Sequence, residues 1–458
     1  MEYTAFQKVP DNKRTFSFWD QLVFWFSACS LPAAWTYGAL MAGWQGIAGA
    51  LVLIVVVNTL SFIPWAFLGR IAAETGGSSM AIVRPTFGIK GSVVPSIFYL
   101  ILGIGWGAVN VFIGAIALSF IFKLWLGFPS YIDSGNTFYM VAYIILVCAL
   151  QSFFAIRGSE WIKRLQWIAT IFFIFLGLYQ TYVVFQHWGA AELMKWRPDK
   201  MLTSSIGPFV YPITFALLVD LLIAYNWTWE FIGDFSRFAK NKTAGTWGPF
   251  LGATLAQYWW FLVGALAVVY LTKTTGLYNP LLADPSSTTV ALGFGWLAAL
   301  IILFATVTTN AGNIYASSLG LSNILREKKH DLFGLMLIVS GAVAVFSLTP
   351  LLSKDFVGFF IFFLDFLGAI VVPLWIVTLV DYFWVKRGKY SDDIFKQTGG
   401  KYWYQKGWNW PGIVTLLSGT VFYWVVAYAL PNFRIAYTAA IPTMIYVGVV
   451  YVIWMKRK

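Results

Sequence analysis

The sequence predicts an all-α polytopic membrane protein with about twelve transmembrane helices. First, the chain is 59% hydrophobic and 11% charged, with a mean hydropathy of +0.72, which is unlike a soluble domain. Second, no Asp, Glu, Lys or Arg occurs in 21–69, 91–122 or 285–325, and each stretch exceeds the roughly 20 residues that cross a bilayer. Third, 51–57 and 296–304 are apolar on every side, which excludes the alternating strands of a β-barrel.

Short charged clusters separate the apolar stretches and define the helix boundaries. The two longest connections, 188–207 and 385–410, are too short to fold as domains of their own. The predicted helices lie near 18–43, 48–69, 91–123, 138–157, 165–187, 208–233, 248–271, 289–322, 333–350, 356–384, 411–429 and 434–455. The lipid bilayer is therefore the predicted surroundings of most of the chain.

The basic residues fall mainly on alternate connections. The formal net charge is +12, and 24 of the 31 Lys and Arg residues lie in the two termini and the connections of the same parity. The other connections hold only Lys123, Lys195, Arg197, Lys200, Lys273, Lys354 and Arg434. Because cytoplasmic connections are enriched in Lys and Arg, we predict cytoplasmic termini and a plasma (inner) membrane location. The basicity reflects topology and does not indicate a nucleic-acid partner.

The sequence lacks the usual resources of an enzyme. Neither long connection contains a phosphate-binding Gly-rich loop, which argues against ATP-driven transport. The two histidines, His187 and His330, lie in connections or at helix ends, away from any metalloprotease or acyltransferase arrangement. We predict no catalytic residue, no bound cofactor and no obligate protein partner.

The first helix contains a run of small residues that ends in proline, from Ser27 to Pro32. Pro32 lacks a backbone donor and disfavours helical geometry at Leu31, which predicts a break. Carbonyls released there could coordinate a cation. The alternative is a simple proline kink closed by the hydroxyls of Ser27 or Ser30.

The eighth helix contains a second polar island, 305–313, within a long uncharged stretch. Thr308 and Thr309 offer neutral, hard oxygen ligands suited to a monovalent cation. Asn310 and Asn313 lie three residues apart and share one helical face. The alternative is that these groups only form hydrogen bonds between helices.

The third helix places Trp106 one turn before Asn110, away from the membrane interface where tryptophan is common. Gly103, Gly105 and Gly107 are expected to clear space around the indole. An aromatic face beside an amide suits a planar heterocycle, by analogy with base stacking. The alternative is an ordinary packing tryptophan.

Two predicted helices contain a carboxylate, Asp220 in the sixth and Asp365 in the tenth. Intramembrane acids are candidates for function, here either as proton carriers or as hydrogen-bonded lining residues of an outward vestibule. The sixth helix also contains a polar and aromatic stretch from Tyr225 to Glu230. It has no Gly or Pro near its centre, so the sequence does not mark a break there.

Six short segments follow one another along nearly the whole chain: 84–92 (RPTFGIKGS), 105–107 (GWG), 233–238 (GDFSRF), 308–310 (TTN), 315–317 (YAS) and 381–387 (DYFWVKR). In this order, they resemble the nucleobase:cation symporter family, which includes purine-cytosine permeases, cytosine permeases and hydantoin transporters. Each segment is short, and their joint spacing is what makes the match specific.

The resemblance implies a LeuT-type fold with a midplane site beside broken first and sixth helices. Helices 1–5 (18–187) and helices 6–10 (208–384) would form inverted repeats, followed by two C-terminal helices in 411–458. The rest of the chain would be a cytoplasmic N-terminal segment 1–17, an extracellular loop 188–207 and a cytoplasmic loop 385–410.

The resemblance also implies which residues bind a substrate. A third-helix tryptophan and a residue one turn later correspond to Trp106 and Asn110. The sixth-helix aromatic, nine residues before Asp234, corresponds to Tyr225. The complete implied set is Leu31, Trp106, Asn110, Ala224, Tyr225, Asn310 and Asn313.

For a coupling cation, the resemblance implies Na⁺ held by oxygens of Ser27, Ser30, Ala305, Thr308 and Thr309. H⁺ is the alternative, through Asp220 or Asp365. Leu31 replaces a glutamine of the hydantoin transporter, and the segment 310–313 (NAGN) is more similar to the cytosine and purine-cytosine permeases. Tyr225 stands where Trp or Phe is usual and adds a hydroxyl.

The sequence therefore predicts a secondary active transporter that imports a nucleobase or related planar heterocycle, such as cytosine, a purine, hydantoin or allantoin. Cation symport and alternating access would drive the import. The alternatives are a symporter of the same fold for an amino acid or other small metabolite, and a non-transporting receptor or channel. A channel would require a continuous polar stripe, whereas these polar islands are isolated.

Overall fold

The computed structural model describes residues 3–157, 159–198, 203–206, 209–276, 278, 295–325, 332–353 and 356–456. Parts of some predictions lie outside these residues: the start of the eighth helix at 289–294, part of the 188–207 loop, His330, Lys200 and Lys354. Within the described residues, each of the twelve predicted helices has a counterpart.

The helices that correspond to the predictions account for most of the described chain. In order they are Phe18–Cys29 with Pro32–Ala42, Gly46–Thr75, Val93–Leu126, Thr137–Ile156, Ser159–His187, Phe215–Trp227 with Ile232–Ser236, Lys242–Thr275, Gly295–Leu325, Leu332–Phe346, Phe356–Val380, Trp410–Trp424, and Pro431–Tyr437 with Ala440–Lys456. We call them the first to the twelfth helix. By length and composition, ten helices among the described residues can cross a membrane, and the bent last pair makes an eleventh. The first helix is not in that count; its halves have 12 and 11 residues.

Shorter elements lie in the connections and at helix ends. The short helices are Ser79–Ile82, Arg84–Phe87, Tyr131–Ser134, Ala190–Lys195 and Thr349–Ser353. Single turns of 3₁₀-helix are Asp11–Lys13 and Asp392–Phe395, and π-turns are Leu53–Val57, Asp381–Val385 and Val425–Ala429. Among these, the Ser79–Ile82 helix contacts the second half of the sixth helix.

One hairpin departs from the all-helical prediction. Strands Thr203–Ile206 and Phe209–Pro212 pair antiparallel, with Thr203 opposite Pro212. The sixth helix consequently begins at Phe215, later than the predicted 208. Thr214 caps this start, because its side chain accepts a hydrogen bond from the backbone N–H of Leu217 at 3.2 Å.

The first helix breaks where the sequence predicts. Leu31 is extended, with φ −143° and ψ 155°, and Pro32 is the first residue of the second half. The hydroxyl of Ser30 donates to the carbonyl of Phe26 at 2.6 Å. The break therefore coexists with the hydroxyl closure that a proline kink would use.

The sixth helix also breaks, between Trp227 and Ile232, and partners from distant helices stabilise the break. The Trp375 indole donates to the carbonyl of Trp227 at 3.0 Å, and the Trp65 indole donates to the carbonyl of Trp229 at 3.0 Å. Carbonyls that a helix would use internally are thus hydrogen bonded from outside, which is the condition for irregular backbone within a membrane.

The twelfth helix is predicted to be continuous, but in the structure it is bent. Its two parts meet at an angle of 87°, and Thr438 at the corner has φ +65°. The backbone N–H groups of Ala439 and Ala440 donate to the Asp220 carboxylate at 2.8–2.9 Å. The bend therefore directs the start of the last long helix at a buried anion.

Burial separates a central group of helices from a peripheral group. In the apolar stretch of the sixth helix 94% of the residues are buried, and in that of the eighth helix 83%. The corresponding share for the ninth helix is 33%. The polar islands of the sequence thus lie in the most buried helices, which is where a midplane site requires them.

Several segments predicted to be cytoplasmic contact one another. Lys8 forms an ion pair with Asp392 at 2.9 Å, and the guanidinium of Arg84 donates to the carbonyl of Ile394 at 2.8 Å. Arg237 donates to the carbonyl of Tyr3 at 2.9 Å. These segments therefore lie on one face of the molecule, as their shared basic character predicts.

Candidate substrate site

A small enclosed cavity lies among the first, third, sixth and eighth helices. Its walls are Leu31, Trp106, Asn110, Thr228, Trp229, Phe231 and Asn313. Four of them, Leu31, Trp106, Asn110 and Asn313, belong to the predicted substrate set. The cavity measures about 10 Å³, which is room for roughly one water. This form is closed, and a planar ligand enters only if the walls move.

Three wall residues have buried polar atoms without a hydrogen-bond partner among the described residues. They are Nε1 of Trp106, Nε1 of Trp229 and Oδ1 of Asn110. Buried polar groups in proteins are nearly always hydrogen bonded. The residues that line the cavity thus contain two unpartnered donors and one unpartnered acceptor.

Asn310 connects the amides of this region and has no free amide atom itself. Its Nδ2 donates to the Gly107 carbonyl at 2.9 Å and to Oε1 of Gln151 at 2.7 Å. Its Oδ1 accepts from Nδ2 of Asn110 at 3.0 Å and from Nδ2 of Asn313 at 3.2 Å. Asn310 therefore holds Asn110 and Asn313 in position from behind the cavity. A direct contact between Asn310 and a substrate stays a prediction.

Gln151 was missed by the sequence reasoning. It lies in the fourth helix, is fully buried, and its Nε2 has no partner among the described residues. A glutamine in the middle of an apolar helix was the available signal.

Tyr225 is near the cavity but does not form its wall. Its ring stacks on Tyr37, with centroids 5.5 Å apart and planes at 13°, and meets Trp106 edge-on at 5.3 Å and 86°. Trp106 and Tyr225 thus contact each other directly. The carbonyl of Ala224 accepts from the N–H of Thr228 at 3.0 Å. The substrate roles of Tyr225 and Ala224 stay predictions.

The walls supplied by the break of the sixth helix were not predicted. These walls are Thr228, Trp229 and Phe231, which line the small cavity. The ring centroids of Trp229 and Phe231 are 5.6 Å apart, and the ring planes meet at 85°. The sequence signal was the aromatic residues in a polar stretch. Without a glycine or proline, that stretch gave no reason to expect unwinding.

The glycines of the third helix do not leave the open space around the Trp106 indole that the sequence predicts. A Cβ on Gly103 would overlap Ser317 Oγ, and one on Gly105 would lie 2.5 Å from Phe363 Cε2. Phe363 in turn contacts the Trp106 ring edge-on at 5.6 Å. These glycines let the eighth and tenth helices approach, so that Trp106 is supported from behind.

The predicted cation residues lie on the two expected helices, but among the described residues no hydrogen bond joins the two sets. Ser27 Oγ accepts from the hydroxyl of Thr170, in the fifth helix, at 2.6 Å. The Thr308 hydroxyl donates to the Ala305 carbonyl at 3.0 Å. Ser30 and Thr309 are each 3% exposed. These are neutral oxygens of the kind that a monovalent cation takes, and their ligand role stays a prediction.

Asp220 and Asp365 share one arginine. Arg434 Nε donates to Asp220 at 2.9 Å, and its terminal nitrogens donate to both oxygens of Asp365 at 2.6 and 3.1 Å. The Tyr423 hydroxyl donates to Asp365 at 3.0 Å. Arg434, which the charge count assigns to a connection on the outer side, is 6% exposed. We call this cluster the arginine clamp.

A larger cavity lies elsewhere and contains none of the predicted substrate residues. It has a volume of about 1010 Å³, is mostly apolar, and lies among the second, sixth and twelfth helices. Its walls include Leu60, Val219, Trp227 and Ile441. Its polar lining side chains, which include Ser61 and Thr438, are few against a large apolar surface, which distinguishes it from the small cavity.

Residues 8–452 match the family model described as permease for cytosine/purines, uracil, thiamine and allantoin. A purine-uracil permease of Arabidopsis thaliana is 24% identical over 433 residues, which cover 90% of this chain and 69% of the relative. The cytosine permease of Escherichia coli K12 is 26% identical over 354 residues, covering 77% and 74%. The allantoin permease of Bacillus subtilis 168 is 23% identical over 437 residues, covering 90% and 84%.

Solved structures show a similar fold. Mhp1, a nucleobase-cation-symport-1 family transporter in a closed conformation with bromovinylhydantoin bound, superposes with a TM-score of 0.78 at 19% identity, covering 99% of this chain and 95% of that one. A Na⁺-coupled sialic acid symporter superposes with a TM-score of 0.60 at 13% identity, covering 97% and 91%. The predicted membrane fold of about twelve helices is thereby confirmed, and the hairpin of Thr203–Ile206 and Phe209–Pro212 is an addition to it.

Proposed function

Because the chain belongs to the family of permeases for cytosine, purines, uracil, thiamine and allantoin, we propose that it imports a nucleobase or related planar heterocycle by cation symport. The observation that carries the substrate class is the set of unpartnered atoms on the small cavity: two indole N–H groups and one amide oxygen beside the Trp106 ring. A nucleobase presents carbonyl or ring-nitrogen acceptors and N–H donors on one flat molecule, which complements that set.

Binding would require the walls to separate. Trp106 and Tyr225 now meet edge-on, and a base stacked on the Trp106 face would have to displace one of the neighbouring rings. The gain from stacking is roughly 1–3 kcal/mol. Asn110 and Asn313, held by Asn310, would then read the edge of the base.

The cation would bind between the first and eighth helices, and we propose Na⁺ there. The supporting observation is a set of neutral oxygens, which suit a cation that must be released again. They belong to Ser27, Ser30, Ala305, Thr308 and Thr309. Coupling would follow if Na⁺ binds better to the state that also binds the base.

The orientation follows from charge, and we propose cytoplasmic termini in a plasma (inner) membrane. The clustering of Lys8, Arg84 and Arg237 on one face supports it. Transport itself would need no catalytic residue, because the substrate would cross the membrane without chemical conversion.

The test is thermal stabilisation of the detergent-purified protein by cytosine, adenine, uracil, hydantoin, allantoin and leucine, each with and without Na⁺. A shift in Tm with one of the heterocycles that grows with Na⁺ would support substrate class and cation together. A shift with leucine alone would favour the amino-acid alternative and overturn the proposal. A heterocycle shift indifferent to Na⁺ would overturn the cation assignment alone.

A further inference from the structure

Glu230 is a buried acid at the break of the sixth helix. The residue is 2% exposed, and its Oε2 has no hydrogen-bond partner among the described residues. It lies between Trp229 and Phe231 in the chain, and both of these line the small cavity. An unpartnered carboxylate oxygen thus lies in the segment that forms one wall of the candidate substrate site.

The neighbours of Glu230 are anionic or neutral. Among the described residues, Asp234 and the Tyr99 phenol interact with it electrostatically, and its own backbone N–H donates to its carboxyl group. Asp234 is well hydrogen bonded: it accepts from the Tyr99 hydroxyl and from the backbone N–H of Ser79 at 3.2 Å. The Ser79 hydroxyl donates to the backbone carbonyl of Glu230 at 2.6 Å, which leaves the carboxyl group without that donor.

The nearby arginine does not pair with Glu230. Arg237 donates to backbone carbonyls, to Asp234 at 3.1 Å, to Thr4 at 3.2 Å and to Tyr3 at 2.9 Å. Burial of an ionised carboxylate without a cation carries a large desolvation penalty. A second negative charge beside Asp234 adds repulsion. A proton on Oε2 removes both costs.

We propose that Glu230 is a proton-binding site, with the proton on Oε2 while the cavity is closed. When the proton leaves, Oε1 and Oε2 share a negative charge that the closed packing cannot hold. The break between Trp227 and Ile232 then moves, and with it the walls formed by Trp229 and Phe231. The proton is thus a ligand of the transport cycle at a place separate from the proposed Na⁺ oxygens. Only this link to transport rests on the proposed function.

Infrared spectroscopy of the purified full-length protein tests the proton directly. We expect a carboxylic acid C=O stretch in the wild type near neutral pH, and its loss in Glu230→Gln. Glu192→Gln is the matched control, because Glu192 is an ion-paired, exposed acid; it should keep the band. Glu230→Asp should keep an acid band at a shifted position, which guards against a misfolded glutamine variant. A band that persists in a folded Glu230→Gln protein would overturn the proposal.

Uptake into proteoliposomes tests the link to transport, with the heterocycle that stabilises the protein as the probe. We expect a pH gradient to drive accumulation by the wild type. In Glu230→Gln, which has no proton to release, we expect that the pH gradient no longer drives accumulation. Equal responses of both proteins to the gradient would overturn the link. If the wild type binds no heterocycle, the proposed function fails, whereas the infrared result stands on its own.

Discussion

The sixth helix has one buried acidic side chain before its break and another at the break, and the surroundings of the two differ. Before the break, Asp220 accepts from Arg434 and from the backbone N–H groups of Ala439 and Ala440. At the break, Glu230 has no cation, and its Oε2 accepts no hydrogen bond among the described residues. A carboxylate with a complete set of donors fixes a structure, whereas one without such donors can bind and release a proton. Burial alone therefore does not identify a proton carrier.

The arginine clamp offers the largest test of this contrast. Arg434→Met leaves Asp220 and Asp365 buried without their shared cation. Removal of one partner of a buried ion pair costs about 3–5 kcal/mol. We expect this loss in the free energy of unfolding, measured by chemical denaturation in detergent. The control is Lys273→Met, which breaks a more exposed pair with Glu192 and should cost about 1 kcal/mol or less. Wild-type stability in Arg434→Met would contradict the structural role of the clamp.

The cavity beside Glu230 offers the next test, through Trp106. Trp106→Ala removes the aromatic face, and base affinity should fall by about 1–3 kcal/mol, or roughly 5- to 150-fold. Equilibrium binding of the labelled base measures it. Trp125→Ala, on the same helix and 58% exposed, should leave the affinity unchanged. Equal affinity of the Trp106 variant and the wild type would remove the stacking proposal.

Ser79 tests how firmly the packing around Glu230 is held. Ser79→Ala removes the hydroxyl that donates to the Glu230 carbonyl and accepts from the N–H of Gly233 at 3.0 Å. Leaving these buried groups unsatisfied should cost about 1–3 kcal/mol of unfolding free energy. Ser418→Ala is the control, because Ser418 is only partly buried and bonds locally to Thr415. A Ser79 variant no less stable than the Ser418 variant would show that the break is held by other contacts.

The smallest expected effect concerns an acid near the surface. Hydrogen bonds from Lys123 and Ser130 hold the pKa of Asp133 below its ordinary value. Its contribution to stability is therefore present at neutral pH and lost as the pH falls through the lowered pKa. The side chain is 53% exposed, so solvent screening limits the effect to less than about 1 kcal/mol. Comparison of Tm for the wild type and Asp133→Asn between acidic and neutral pH should show convergence at low pH; a constant difference would contradict this assignment.

Features that depend on neighbours in the chain were predictable. Pro32 marked the break of the first helix, and the periodicity of Asn310 and Asn313 placed both on the face near Asn110. Apolar runs between charged clusters gave the order of the helices. In each case the physical cause lies within one or two helical turns.

Features that depend on partners far away in the chain could not be predicted from the residues themselves. The resemblance implied a broken sixth helix, but its residues alone gave no signal for the break. The Trp65 and Trp375 indoles that donate to its free carbonyls are more than a hundred residues away in the chain. The burial of Arg434 was not predictable because a charge count does not reveal two buried carboxylates that pair with it. Gln151 stood out only as a glutamine within an apolar helix, and the sequence did not reveal its partner Asn310 in another helix.

The contacts of Arg237 with Tyr3 and Thr4 bear on how the chain assembles during synthesis. Arg237 is 234 residues from Tyr3 and 233 residues from Thr4 along the chain. The N-terminal segment leaves the ribosome early, yet its docking site is made only after the sixth helix has been inserted. The N-terminal segment therefore stays unattached while six helices enter the membrane. It attaches only when the second half of the molecule has begun to pack. Protease protection of this segment during synthesis would therefore follow the progress of assembly.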